Sequence, residues 1–183
     1  MKGEEQLIEQ AKTDSKAFGQ LYEFYYPKIL GYVFRVSGDY HISCDITSET
    51  FAKAFLKINS FKWKGISISS WFFRIATNEL NQYFRKKKYI PFTLMDLSVY
   101  KEVTLDTNFS DETNATLSNI YMTEDFKNVL KQLKLLLPVY QKVIALKYFE
   151  EMNIKEISEI LGKKEGTVKS LLSRGTDQLR KLL

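Results

Sequence analysis

Asn153-Ile154-Lys155-Glu156-Ile157-Ser158-Glu159-Ile160-Leu161-Gly162, followed by Lys163-Lys164-Glu165-Gly166-Thr167-Val168-Lys169-Ser170-Leu171-Leu172-Ser173-Arg174, reads as two short helices joined by a glycine turn. Ile154, Ile157, Ile160 and Leu161 fall at helical spacing and predict one buried face. Gly162 follows the last of them, where a left-handed C-terminal cap needs a residue without a β-carbon. A second periodic set starts at Val168, Leu171 and Leu172 and runs through Leu179 to Leu183. This is the helix-turn-helix plan, whose second helix lies in the DNA major groove. Its outward face carries Lys169, Ser170, Ser173 and Arg174, donors suited to base edges and phosphates. On spacing alone, an ordinary helical hairpin with a solvated basic face fits equally well.

Outward from this stretch, the composition narrows the alternatives. The 183 residues suffice for one domain or two small ones, and a hydrophobic content of 44% supports a packed core. Lys and Arg outnumber Asp and Glu by 27 to 22, an excess that permits a polyanionic partner without requiring one. One cysteine, Cys44, excludes an internal disulfide framework and suits a reducing cytoplasm. Cys44 and the single histidine, His41, cannot close a zinc site between them, so no metal and no cofactor are expected. With acids scattered through the chain, the clustered groups of an enzyme acting on nucleic acid are missing as well. There is no signal-peptide pattern and no run approaching the roughly 20 apolar residues of a membrane span. A soluble, cytoplasmic protein is expected.

Three prolines and eight glycines leave long uninterrupted segments, which favours an all-α chain. Helices are expected over Glu4 to Thr13 and Ser15 to Phe24, with the pattern resuming over Lys28 to Ser37. Ser43 or Asp45 would cap the next helix, which turns Ile46, Phe51, Phe55 and Ile58 inward. After a loop from Ser60 to Ser69, Ser70 starts a strong helix through Trp71, Phe72, Ile75, Leu80 and Phe84 to the basic run Arg85-Lys86-Lys87-Lys88. The composition then changes. Between Tyr89 and Asn119, Asp96, Glu102, Asp106, Asp111 and Glu112 stand against Lys101 alone, a net charge of −4 among many Thr, Ser and Asn residues. The helical pattern resumes near Thr123. The expected architecture is therefore two small helical domains, 1–88 and 121–183, joined by a flexible acidic linker over 89–120.

Two blocks, in order, resemble the extracytoplasmic-function group of bacterial sigma-70-type transcription initiation factors. Leu136-Leu137-Pro138, Leu146-Lys147-Tyr148-Phe149, Gly166 to Ser170 and Leu179-Arg180 resemble that family's sigma-4 helix-turn-helix domain. Asp45 to Phe55, with Trp71-Phe72-Phe73-Arg74-Ile75-Ala76-Thr77-Asn78, resembles its sigma-2 domain. The resemblance implies a protein that binds core RNA polymerase through the β′ clamp and β flap, directs it to promoters and helps melt the −10 region. Asp45, Glu49, Thr50 and Phe51 would meet the clamp, although each charge also reads as ordinary solvated surface. Trp71, Arg74, Asn78, Gln82 and Arg85 would meet the −10 element, where exposed bases are held by aromatic faces, amides and cations. As the first aromatic of an apolar stripe, a residue such as Trp71 is more often core. Gln82 stands where the family commonly has Asp, eleven residues after the Trp, which bears on −10 preference.

On the same resemblance, Gly166, Thr167, Lys169, Ser170, Ser173 and Arg174 would meet the −35 element, with Lys169 where the family has Arg. Lysine approaches guanine as a point charge and lacks the rigid fork. The acidic linker would occupy the basic RNA exit path, or serve as a passive spacer. Because the sequence ends at Leu183, soon after the recognition helix, control is expected from a separate anti-sigma protein. The rival reading is a stand-alone helix-turn-helix regulator, which would need a dimer surface or ligand pocket in residues 1–88.

Overall fold

The computed structural model describes residues 4–62, 67–88 and 124–183, and every regular element among them is helical. The expectations for the acidic linker, and for residues 63–66 of the loop from Ser60 to Ser69, lie outside the described residues. In the N-terminal half, α1 spans Glu4–Ala11, α2 Ser15–Ser37, α3 Tyr40–Lys57 and α4 Ile68–Lys88. In the C-terminal half, α5 spans Glu124–Leu133, α6 Pro138–Ile144, α7 Ile154–Leu161 and α8 Glu165–Arg180. A short 3-10 turn, Ile58–Ser60, closes α3, and α6 runs on into a π-helical turn, Ala145–Phe149.

The two helices expected over 15–37 are one continuous α2 passing through an exposed Pro27. Asp14 caps its start by accepting from the Lys16 amide, and Gly38 ends it at φ 74°, a conformation glycine adopts without strain. The cap of α3 is Asp39, not Ser43 or Asp45: its carboxylate accepts from the Ile42 amide at 3.0 Å. Ser43 is buried instead and bonds Ser37 and the Asp39 carbonyl. Asp45 stands exposed, a full turn further on. The basic helix begins at Ile68 rather than Ser70, with the Ser67 hydroxyl accepting from the Ser70 amide.

Helices α1 to α4 pack around Leu21, Ile29, Tyr32, Val33, Phe72, Phe73, Ala76 and Leu80, all fully buried. The Tyr32 hydroxyl and Thr77 satisfy one another at 2.9 Å inside this core. Phe55, expected inward, is 47% exposed and meets Phe18 edge-on at 5.1 Å. The stripe that α3 buries runs through Ser43, Ile46, Thr47, Thr50, Phe51, Ala54 and then Ile58, so position 55 lies beside it.

In the C-terminal half, α8 packs on α6 and α7 through Val168, Leu171 and Leu172. Gly175 sits where a β-carbon would come within 3.2 Å of both Ile144 and Tyr140, a contact tight enough that these side chains would have to give way. The halves also pack against each other. Helix α4 lies along α7, and α2 meets α6 and the π-turn, making one continuous core.

Candidate nucleic-acid interface

Helix α3 divides the four residues expected to meet polymerase into two pairs. Asp45 and Glu49 are exposed on its outer face. Lys53, one turn on, bridges Glu49 at 3.1 Å and Glu79 of α4 at 2.7 Å, and these carboxylates hold its ammonium above the ordinary range. Thr50 and Phe51 point the other way. The Thr50 hydroxyl is fully buried and donates to the Ile46 carbonyl at 2.7 Å, and the Phe51 ring is wedged between Tyr22 and Phe72. Neither is available to a partner in this conformation, because both complete the core beneath the helix. Tyr22, Phe55 and Leu56 are exposed along α2 and α3, with Leu56 at 79%. Sequence reasoning passed over Tyr22 and Leu56; the signal was that aromatic and branched side chains recur one step off the buried stripe.

On α4 the expected residues do come together. Arg74, Asn78, Gln82 and Arg85 are all exposed and follow one another at steps of four, four and three, a single stripe along the helix. Gln82 leans on Glu79 at 3.3 Å. Trp71 is half-buried, its ring 5.1 Å from Phe61 and 5.6 Å from Phe72, so it packs on the core as an aromatic of the apolar stripe. One edge of the indole remains on a cleft of about 350 Å³ lined by Phe61, Lys62, Ser70, Arg74 and Glu159. An aromatic floor with two cations at its rim can stack a base and hold its phosphate.

The C-terminal elements are built by local rules. Asn153 caps α7 and accepts from the Glu156 amide at 3.0 Å, while Glu156 accepts from the Asn153 amide at 2.9 Å, a reciprocal capping box. Gly162 ends α7 at φ 61°. The chain re-enters helix at Glu165 with no side chain capping α8, so Glu165, Gly166 and Thr167 form an exposed first turn whose backbone donors and dipole favour an anion. Glu165 leaves that cap unfilled. Lys169, Ser170, Ser173 and Arg174 are exposed on the side away from Val168, Leu171 and Leu172, as the periodicity predicts. Arg174 folds back along the helix, donating to the Ser170 carbonyl at 3.2 Å and its hydroxyl at 3.1 Å.

The most perturbed charges lie where the halves meet. Arg35 of α2 donates to Glu150 at 2.8 Å and stacks over Phe149. Burial pushes the Glu150 carboxyl up and the Arg35 guanidinium down, and each offsets the other's shift. Lys142 of α6, only 9% exposed, donates to Asn81 of α4, and burial, reinforced by Lys163, lowers its ammonium to about 8. Among the described residues no three His, Cys, Asp or Glu side chains could hold a metal, and no helix is long and apolar enough to cross a membrane.

Residues 21–89 match the family model for sigma-70 region 2, and residues 126–179 match that for sigma-70 region 4. The chain is 34% identical over 181 residues to the ECF RNA polymerase sigma factor SigW of Bacillus subtilis (strain 168), covering 94% of this chain and 91% of that one. It is 30% identical over 161 residues to the RNA polymerase sigma factor YlaC of the same organism, covering 88% of each. In fold it resembles the sigma factor RpoE solved with the anti-sigma factor NepR from Bartonella quintana, at TM-score 0.70 and 24% identity over 91% of this chain and 96% of that chain. It likewise resembles CnrH solved with the cytosolic domain of CnrY, at TM-score 0.68 and 21% identity over 98% and 96% of the two chains. The chain belongs to the extracytoplasmic-function sigma factors, transcription initiation factors that direct RNA polymerase to promoters.

Proposed function

We propose that the two halves divide promoter recognition, residues 1–88 engaging core polymerase and the −10 element and residues 121–183 the −35 element. The observation that carries this reading is the pair of exposed donor faces the core does not need: Arg74, Asn78, Gln82 and Arg85 on α4, and Lys169, Ser170, Ser173 and Arg174 on α8. The cleft beside Trp71 takes an extruded base of the melted −10 element, with Lys62 and Arg74 on its phosphate. Gly166 and Thr167 offer backbone donors to a −35 phosphate, while Lys169 and Arg174 reach the bases. On the outer face of α3, Asp45 and Glu49 meet a charged helix of the polymerase clamp, and Thr50 and Phe51 brace the face from beneath.

Such a protein performs no catalytic step of its own, needs no cofactor and works in the cytoplasm beside polymerase and DNA. An anti-sigma protein covers these faces when transcription is not wanted, as the folds shared with RpoE and CnrH suggest. In-vitro transcription from a genomic fragment library, with core polymerase and this chain, tests the function. Start sites that depend on the chain and share upstream sequence pairs are expected, and no dependent start would overturn it.

A further inference from the structure

Two clefts meet between α4 and the α7–α8 turn, and they share two side chains. The first, described above, has Trp71 and Phe61 as its aromatic wall and Lys62 beside them. The second, of about 360 Å³, is lined from the C-terminal half by Ser158, Gly162, Lys163 and Lys164. Arg74 of α4 and Glu159 of α7 belong to both, so the clefts join into one trough with an aromatic end and a basic end. Each cleft by itself reaches the lower range of small-ligand sites, about 300–1,000 Å³.

The chemistry along the trough changes in a fixed order. At one end the half-buried indole of Trp71 is braced by Phe61 and Phe72 and keeps an edge on the cleft, a surface on which a base can stack. At the other end Lys163 and Lys164 are exposed on the turn that follows Gly162. The Ser158 hydroxyl donates to the Lys163 carbonyl at 2.5 Å and so ties that turn to α7. Lys62, Arg74, Lys163 and Lys164 are drawn into no ion pair among the described residues. Four unpaired cations against one carboxylate give the trough a positive balance that favours phosphate. Glu159 sets it apart from a plain anion site, because a carboxylate repels bare phosphate. At the junction of the two clefts that carboxylate is suited to accept from the vicinal hydroxyls of a ribose, as acidic side chains do in dinucleotide sites.

Base, ribose and phosphates follow one another in this order in a nucleotide. We propose that the trough binds a ribonucleoside di- or triphosphate, its base on Trp71, its ribose at Glu159 and its phosphates among Arg74, Lys163 and Lys164. Single-stranded DNA also offers bases and phosphates, but it lacks the 2′-hydroxyl that Glu159 accepts. Binding of the nucleotide does not depend on the promoter contacts assigned above, whereas its consequence rests on that reading. With Trp71 and Arg74 holding an extruded −10 base, a nucleotide in the trough occupies the same face, and the two exclude one another.

Calorimetric titration of the full chain, without polymerase or DNA, tests this with ATP, 2′-deoxyATP and inorganic tripolyphosphate as probes. ATP should fill one site per chain. The deoxynucleotide should bind about tenfold more weakly, the loss of one hydrogen bond to a charged acceptor, and tripolyphosphate more weakly still. Trp71→Leu keeps an apolar side chain against Phe61 and Phe72 but removes the stacking surface. It should weaken ATP about tenfold and leave tripolyphosphate unchanged. Glu159→Ala should erase the preference for ATP over 2′-deoxyATP, and Lys163→Ala with Lys164→Ala should weaken ATP and tripolyphosphate together. Fluorophores at exposed Lys57 and Gln178, in a Cys44→Ser background, report the separation of the halves, which should stay short with ATP bound. Absence of saturable ATP binding, or tripolyphosphate binding as tightly as ATP, would overturn the proposal, the latter leaving a basic surface only. So would an unchanged ribose preference in Glu159→Ala, unchanged ATP affinity in Trp71→Leu, or a separation that lengthens on adding ATP. None of these outcomes bears on whether the chain programs polymerase.

Discussion

At Thr50 the side chain commits its hydroxyl to the helix that carries it. That oxygen is sealed against solvent and bonded to Ile46, so its role is to fill the core without an orphaned polar atom. Thr50→Val, which keeps the shape and removes the hydroxyl, should shift the urea midpoint by an amount equivalent to about 1 kcal/mol or less. It should leave affinity for core polymerase unchanged, whereas Asp45→Ala with Glu49→Ala should weaken that affinity measurably. A polymerase titration of the two variants compares them directly, and a loss for Thr50→Val would return this residue to the interface. Gly175 is constrained for the opposite reason, because a methyl group there meets the stiff Cβ of Tyr140. Gly175→Ala should push α8 off α6 and cost about 1–3 kcal/mol, read as a lowered denaturation midpoint.

Helices whose buried stripe is apolar were legible from the sequence. Ile157, Ile160, Val168, Leu171 and Leu172 are buried as their spacing predicts, and the capping box and Gly162 bound α7 where local chemistry requires. Helix α3 was misread at Phe55 because its buried stripe runs through Ser43, Thr47, Thr50 and Ala54, small or polar residues that fit beneath neighbours without announcing themselves as core. Its start was misassigned for a similar reason: Asp39, Ser43 and Asp45 are all good caps, and only backbone conformation distinguishes them. The continuity of α2 through Pro27 is a tertiary effect, since burial of Tyr25, Ile29, Leu30 and Val33 on either side outweighs a lost backbone bond. The stripe on α4 was readable in full because exposed polar spacing needs no partner to be recognised. Its end carries a prediction. If Arg85 contacts phosphate, Arg85→Ala should weaken promoter binding by the holoenzyme across sequences and reduce the slope of log affinity against log salt by about 1, measured over a salt series. An unchanged slope would place Arg85 outside the phosphate track.

For the molecule as a whole, the contacts that join the halves were the least legible, because Arg35 and Glu150 are 115 residues apart and each alone reads as surface charge. Their burial makes them informative together. With side chains only 20% and 8% exposed, the pair has given up most of its hydration, so removing one member strands the other. Arg35→Met leaves Glu150 buried without its cation, at a cost of about 3–5 kcal/mol if the halves stayed closed. Opening returns Glu150 to water, so the loss should appear as separation of the halves with each half still folded. Circular dichroism should therefore change little while the interdomain distance lengthens. Glu150→Gln with Arg35→Met should recover much of the short distance, since no uncompensated charge remains. Acid supplies a second check. With Arg35 absent, burial raises the Glu150 carboxyl in the closed form above its solvated value against only the weaker pull of Lys28, so the closed form binds more protons. Lowering the pH through the carboxylate range should then re-close the Arg35→Met chain, and raising it should open the chain again. A single variant that shows the parent's distances at neutral pH would mean that the ion pair contributes nothing to closure and that the apolar contact of α4 with α7 holds the halves without it.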